Sequence, residues 1–133
     1  MPLVIEADAL KLMADWLSAT IPTVTDPAGF TFGGTEIPAG VTPTFKVYTR
    51  LVGGDAEGRT HARPRLDVLV WGDGTVKTQG ATFKMARTLH GMAKRDLRAV
   101  TFASPLFLPD PADGSKRMAL FTIELLTRGV QSS

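Results

Sequence analysis

Cysteine is absent from the 133-residue chain. Its absence removes a disulfide framework, a thiolate metal site and a cysteine nucleophile together, and it fits a reducing compartment. Histidine is nearly absent as well. Only His61 and His90 occur, and they fall on different predicted elements, so no converging set of metal ligands is expected. Long apolar runs are also missing. Nothing approaches the roughly 18 apolar residues that a membrane-spanning helix requires. The start, Met1-Pro2-Leu3-Val4-Ile5-Glu6, has neither a basic n-region nor a long apolar h-region, so no signal peptide is expected. No strong excess of one charge exists, since the net charge is only +2.

What is present is the composition of a folded domain, with 44% hydrophobic and 21% charged residues. A chain of this size buries roughly two thirds of its unfolded surface, and we expect one domain over residues 1–133. The charges are unevenly placed. Residues 1–27 carry Glu6, Asp8, Asp15 and Asp26 against Lys11, whereas residues 76–98 carry Lys77, Lys84, Arg87, Lys94, Arg95 and Arg98 against Asp96.

Hydrophobic periodicity predicts a helix over 6–19, with Ala7, Leu10, Met13, Ala14 and Leu17 on one stripe. Leu12 and Trp16 fall on a second side, where Trp16 is expected to be covered by another element or another chain. Glu6 and Asp8 complement the dipole of the first turn. Residues 21–43 are punctuated by proline and glycine and read as a long loop with one short extended piece at Phe30-Thr31-Phe32. Residues 44–51 alternate, with Phe45, Val47, Thr49 and Leu51 opposite Lys46, Tyr48 and Arg50, as in a half-buried strand. Residues 53–63 read as a polar hairpin loop and 65–71 as the partner strand. A second helix is predicted over 76–95, with Gly80 and Gly91 inside it, where close packing against another backbone would be one reason to keep them. Strands follow over 98–104 and 117–128, separated by a Pro/Asp/Gly linker, and 129–133 reads as a frayed tail. The expected fold is α+β: a twisted antiparallel sheet of about four strands with two helices packed on one face, in the order helix-strand-strand-helix-strand-strand.

Candidate chemistry is sparse. His90 lies on the apolar face of the second helix and reads as a hydrogen-bonded core histidine, while His61 reads as a solvated loop residue. Gly72-Asp73-Gly74-Thr75-Val76-Lys77-Thr78 joins a strand to a helix, but a phosphate loop needs Gly where Val76 stands. Asp110, Asp113 and Gly114 lack calcium-loop spacing. Asp67 interrupts an apolar strand, either as a buried partner for an arginine or on a less buried face. Lys77, Lys84 and Arg95 share one helix face, which reads as solvated, as a nucleic-acid contact or as a contact with an acidic neighbour. Catalysis, a cofactor and a metal are not expected.

The run Arg65-Leu66-Asp67-Val68-Leu69-Val70-Trp71-Gly72, followed by a helix holding Ala81, Ala86, Arg87 and Leu89 and closed by Met118 to Thr127, resembles the tail terminator proteins of long-tailed bacteriophages, particularly the short forms from phages of actinobacteria. The resemblance covers most of residues 1–128 and rests on the order of elements and one short motif. It implies a non-enzymatic virion protein, assembled in the host bacterial cytoplasm, that forms a hexameric ring at the tail–neck junction. Its implied partners are copies of itself, the tail tube protein, a neck or head-completion protein, and DNA passing through the lumen without specific binding. Another neck or head-closure ring protein and a small nucleic-acid-binding module are the alternatives. A ring needs two different complementary patches on each subunit. The expected subunit interface therefore pairs Glu6, Asp8, Asp15 and Trp16 with Lys77, Lys84 and Arg95, and the expected inter-ring loop comprises Gly53, Gly54, Asp55, Glu57, Arg59, His61 and Arg63.

Overall fold

The computed structural model describes residues 2–3, 6–25, 29–40, 43–57, 61–73, 79–125, 127–128 and 130–131. In chain order the elements are β1 (Pro2–Leu3), α1 (Glu6–Thr20) with a short 3-10 turn (Ile21–Thr23), β2 (Thr31–Gly34), β3 (Lys46–Glu57), β4 (His61–Trp71), α2 (Gln79–Asp96), β5 (Val100–Pro109), β6 (Arg117–Glu124), β7 (Thr127–Arg128) and β8 (Val130–Gln131). The main sheet runs β2-β3-β4-β6-β5, with β7 also paired to β4.

The α+β class holds, but the sheet is mixed and larger than expected. β2 pairs parallel with β3, whereas the other pairings within the sheet are antiparallel. The short Phe30–Phe32 piece gains this role through pairing with β3, with Thr31 beside Lys46 and Phe32 beside Val47. Phe45 makes the junction. Its N–H donates to the Gly72 carbonyl and its carbonyl accepts from the Thr31 N–H, at 2.9 and 3.0 Å. Its φ of 51° is left-handed, which disfavours a bulky side chain, and its ring packs edge-on against Phe30. Gly33 is required on β2, since a Cβ there would run into the Tyr48 ring.

Both helices lie on one face of the sheet. Met13 and Leu17 of α1 and Met85, Ala86, Leu89 and Ala93 of α2 share one core with Val47, Leu66, Val68, Val70, Ala119, Phe121 and Ile123. α2 therefore buries Thr82, Met85, Ala86, Leu89 and Ala93, and His90, expected on the apolar face, flanks it together with Phe83. Lys94 and Arg95 in its last turn complement the dipole, and Arg98 follows in a left-handed conformation with φ 49°. Gly80 and Gly91 face open space, so close backbone packing is not what holds them there.

The opposite face of the sheet is divided. At one end Tyr48, Leu69, Trp71 and Met118 form a smaller cluster flanked by Ile37, Leu108 and Leu120. At the other end polar side chains pair across the strands. The Arg50 Nη2 lies 3.0 Å from Asp67 Oδ2, and Thr122 Oγ1 donates to Asp67 Oδ1 at 2.6 Å. Asp67 is thus the buried partner of an arginine.

The expected loop 53–63 is instead mostly strand. Gly54, Asp55, Ala56 and Glu57 pair with Pro64, Arg63, Ala62 and His61, so β3 and β4 continue as a long ribbon. Polar composition hid this, because backbone pairing rather than an apolar face defines the ribbon. The expected linker after residue 104 is also strand, since Leu106 to Pro109 pair with β6. Of the expected tail, Val130–Gln131 pairs with Pro2–Leu3.

Two substitutions check this packing. Leu89→Ala should lower the unfolding free energy by about 2–5 kcal/mol, as for a fully buried leucine. Gly91→Ala should raise it by roughly 0.5–1 kcal/mol, because its Cβ meets open space in an exposed helix interior. Urea denaturation monitored by circular dichroism reads both.

Candidate interaction surfaces

The exposed apolar side chains concentrate on β5. Val100, Phe102, Leu106 and Phe107 are 47%, 54%, 42% and 38% exposed. β5 ends the sheet beyond β6, so its far side is a margin. Two register shifts, between Thr101 and Ala103 and between Ala103 and Leu106, interrupt its pairing. It also contains Pro105 and Pro109, which lack an N–H. Bulges and prolines blunt an edge against strand addition. This margin therefore offers side chains more readily than a backbone ladder.

Against β5, α2 forms an open groove of about 750 Å³ lined by Gly80, Phe83, Lys84, Arg87, Thr88 and Phe107. The Phe83 and Phe107 ring centroids are 5.0 Å apart, and the Arg87 guanidinium lies 5.9 Å from the Phe83 centroid. The groove thus combines two aromatic rings with two basic side chains. On the sheet's other face, Arg65 stacks 4.6 Å from the Phe102 centroid, while Arg63 and Arg65 approach Glu124 at 3.6 and 3.5 Å.

The charged candidates separate into different surroundings. Trp16 is half-buried against the main core, and its Nε1 donates to Asp96 Oδ2 at 3.3 Å. The Arg95 Nε donates to Asp96 Oδ1 at 2.8 Å, a bond that holds the Asp96 carboxyl below its ordinary range. Trp16 and Arg95, expected on opposite sides of a subunit contact, therefore meet through Asp96 within one chain. Asp15 is exposed and pairs with Lys11 at 2.8 Å. Lys84 is exposed and lines the groove. Glu6 and Asp8 lie on α1 with their side chains outside the description, and Lys77 lies outside the described residues.

Of the ribbon candidates, Gly53, Gly54, Asp55 and Glu57 fall on β3, and His61 and Arg63 on β4, while Arg59 lies outside the described residues. The residues that sequence reasoning missed are Phe102, inside a predicted strand, and Leu106 and Phe107, whose signal was an apolar pair directly after Pro105. Among the described residues no cluster of His, Cys, Asp and Glu could hold a metal ion. Asp113 is committed to a turn, accepting from the Ser115 N–H at 3.0 Å and hydroxyl at 2.7 Å.

His90 is half-buried, and its ring meets Phe121 edge-on with centroids 5.4 Å apart. Its Nε2 is buried without a hydrogen-bond partner among the described residues, which corrects the expectation of a hydrogen-bonded core histidine. Burial pushes its pKa below the ordinary value, helped by the positive charge of Lys94. In comparisons with known proteins, no family model and no curated protein matches the chain significantly.

The His90 surroundings predict a pH dependence. With its folded pKa below the unfolded value of 6.5, the unfolded state binds more protons in the window between the two. Stability should therefore fall as pH drops from neutrality through 6.5 toward the folded pKa, and level off below it. Urea midpoints from pH 8 to 5, an interval spanning roughly the ordinary histidine range, should slope less in His90→Gln than in the parent.

Proposed function

We propose that the protein is a structural virion subunit of the tail-terminator kind. In this reading it forms a ring at the head-proximal end of a phage tail tube, ends tube polymerisation and joins the tail to the neck. The observation that carries the subunit-contact reading is the β5 margin, where Val100, Phe102 and Leu106 stand exposed on a blunted edge beside a basic aromatic groove. Aromatic and arginine side chains are enriched at interface centres. The terminator assignment itself rests on the order of elements and the Val68-Leu69-Val70-Trp71 strand end followed by α2.

A ring requires a second, different patch on each subunit. On α1, Leu12 is 47% exposed and Asp15 lies one turn further on. An apolar knob beside a carboxylate suits the groove of Phe83, Lys84, Arg87 and Phe107 on the next copy. The β3–β4 ribbon beyond residue 53 would reach the adjacent ring, touching tube or neck protein. DNA would cross the lumen without specific binding.

The basic aromatic groove also favours a second reading, a small nucleic-acid-binding module, because rings stack on bases while cations meet phosphates. Binding of a single-stranded oligonucleotide that weakens steeply with salt and is lost in Phe83→Ala would favour that reading.

Self-association and tube capping test the proposal. Leu12→Glu should weaken self-association by about tenfold, from roughly 1.5 kcal/mol of lost apolar burial. Lys84→Glu should weaken it less, by up to about fivefold for an exposed pair, with the difference vanishing at high salt. Asp15→Lys combined with Lys84→Glu should recover the parent value. Light scattering and sedimentation read these changes. Added to polymerising tube protein, the parent should shorten tubes and a deletion of residues 54–61 should not. Unchanged association in Leu12→Glu together with unchanged tubes would sink the proposal.

A further inference from the structure

The sheet face turned away from the helices is covered at one end by Ile37 and Leu108 and open at the other. At the open end Arg50 on β3 stands opposite Asp67 on β4, and Asp67 opposite Thr122 on β6. One rung along, Arg65 stands opposite Glu124, and Glu124 opposite Val100 on β5. Arg63 follows on β4 and shares Glu124 with Arg65. Side chains on one face repeat at every second residue, roughly 7 Å apart. Phe102 joins this face through its contact with Arg65, and Leu106 joins it opposite Leu120.

The charges here are layered. The Arg50, Arg63 and Arg65 side chains are 49%, 43% and 40% exposed, against 9% for Asp67 and 14% for Glu124. The carboxylates lie beneath and the guanidiniums outside, so the small excess of cation over anion is placed at the surface. Among the described residues Arg65 reaches a carboxylate only through Nε, at 3.5 Å. Its two Nη groups are left for an acceptor outside the chain. Beside the arginines, Val100, Phe102 and Leu106 are exposed apolar side chains. A partner that fits must therefore bring acceptors and apolar surface together.

We infer that this face docks an acidic segment of another polypeptide, whose carboxylates meet Arg65 and its neighbours while its apolar side chains pack on Val100, Phe102 and Leu106. Complementarity selects this occupant. Nucleic-acid interfaces are much more positively charged, and here Asp67 and Glu124 stand among the arginines and oppose phosphates. Val100 and Leu106 also offer no ring for a base to stack on. A second copy of the chain is itself basic, with a net charge of +2, and is a poorer complement to a positive face than an acidic partner. The contact is made by side chains, since bulges and prolines blunt β5 against strand addition. This face and the groove of Phe83 and Phe107 lie on opposite sides of the sheet, so the inference goes beyond the ring reading and holds whether or not the groove joins copies of the chain.

The test is fluorescence anisotropy of a labelled, blocked peptide of alternating glutamate and leucine pairs, titrated with full-length protein at low salt. Binding should saturate, weaken with added salt, and exceed that of the peptide with lysine in place of glutamate by at least tenfold. Phe102→Ala should weaken it by about tenfold, from lost apolar burial. Arg65→Gln, which leaves Glu124 its contact with Arg63, should weaken it by up to about fivefold. Both substituted side chains are exposed or half-exposed, and circular dichroism confirms that the variants fold. Amide shifts of labelled protein should fall on Val100, Phe102, Leu106 and Thr122 and not on Phe83 and Lys84. No saturable binding, unchanged binding in either variant, shifts centred on the groove, or tighter binding of a single-stranded oligonucleotide of equal charge would overturn the inference. Weaker self-association in Phe102→Ala would give the face to a second copy and overturn it too, while leaving the ring reading in place.

Discussion

From Leu66 to Trp71, strand β4 has no free face, and much of the fold answers to that constraint. It lies between β3 and β6, and its side chains from Leu66 to Trp71 are buried in both directions. Leu66, Val68 and Val70 turn toward the helices, while Leu69 and Trp71 turn the other way. A strand with two buried sides needs two covers. α1 and α2 supply the first. The second must come from elsewhere, and it comes from Ile37 of the long β2–β3 connection and from Leu108 and Leu120. That connection and the stretch of β5 past Pro105 thus each supply a side chain to the cover over Trp71.

Asp67 is the exception on β4, and its neighbours show how a carboxylate is kept there. Arg50 and Thr122 stand directly opposite it on the flanking strands. Both of its oxygens are occupied, while the Arg50 side chain remains half exposed, 49% against 9% for Asp67. The cation keeps much of its hydration, which limits the desolvation cost that burdens a fully buried pair. The same device recurs one pair along, where Arg65 faces Glu124.

What could be read from the sequence was whatever its own local pattern determines. The alternation of 45–51 and 118–125 and the helical spacing of Met13, Leu17, Ala86 and Ala93 each reflect one local face, and each element was legible. The extended piece at Phe30-Thr31-Phe32 was legible too, but its parallel pairing, the β3–β4 ribbon and the second half of β5 were not, because they depend on distant partners while the local residues are rich in Gly, Asp and Pro. The candidate surfaces were legible in the same measure. The basic character of α2 showed in Lys84 and Arg87. Of the apolar β5 margin, Leu106 and Phe107 were hidden behind Pro105. The charge segregation of α1 and α2 suggested a contact between chains, yet Trp16, Asp96 and Arg95 meet within one.

That last point sharpens what remains available for a partner. Near Asp96 the end of α2 meets α1 through Trp16, and Arg95 is paired with Asp96 there. Lys84 and Arg87 lie in the first half of the helix, beside β5, in a groove they share with Phe83 and Phe107. A partly apolar surface that approached α2 there would meet the two aromatic rings beside the basic side chains. The adjacent β5 edge resists backbone pairing through its bulges and prolines. Side-chain contact without strand addition gives a joint that does not extend the sheet, and for contacts between unlike patches the rotation from copy to copy decides between a closed ring and an open filament.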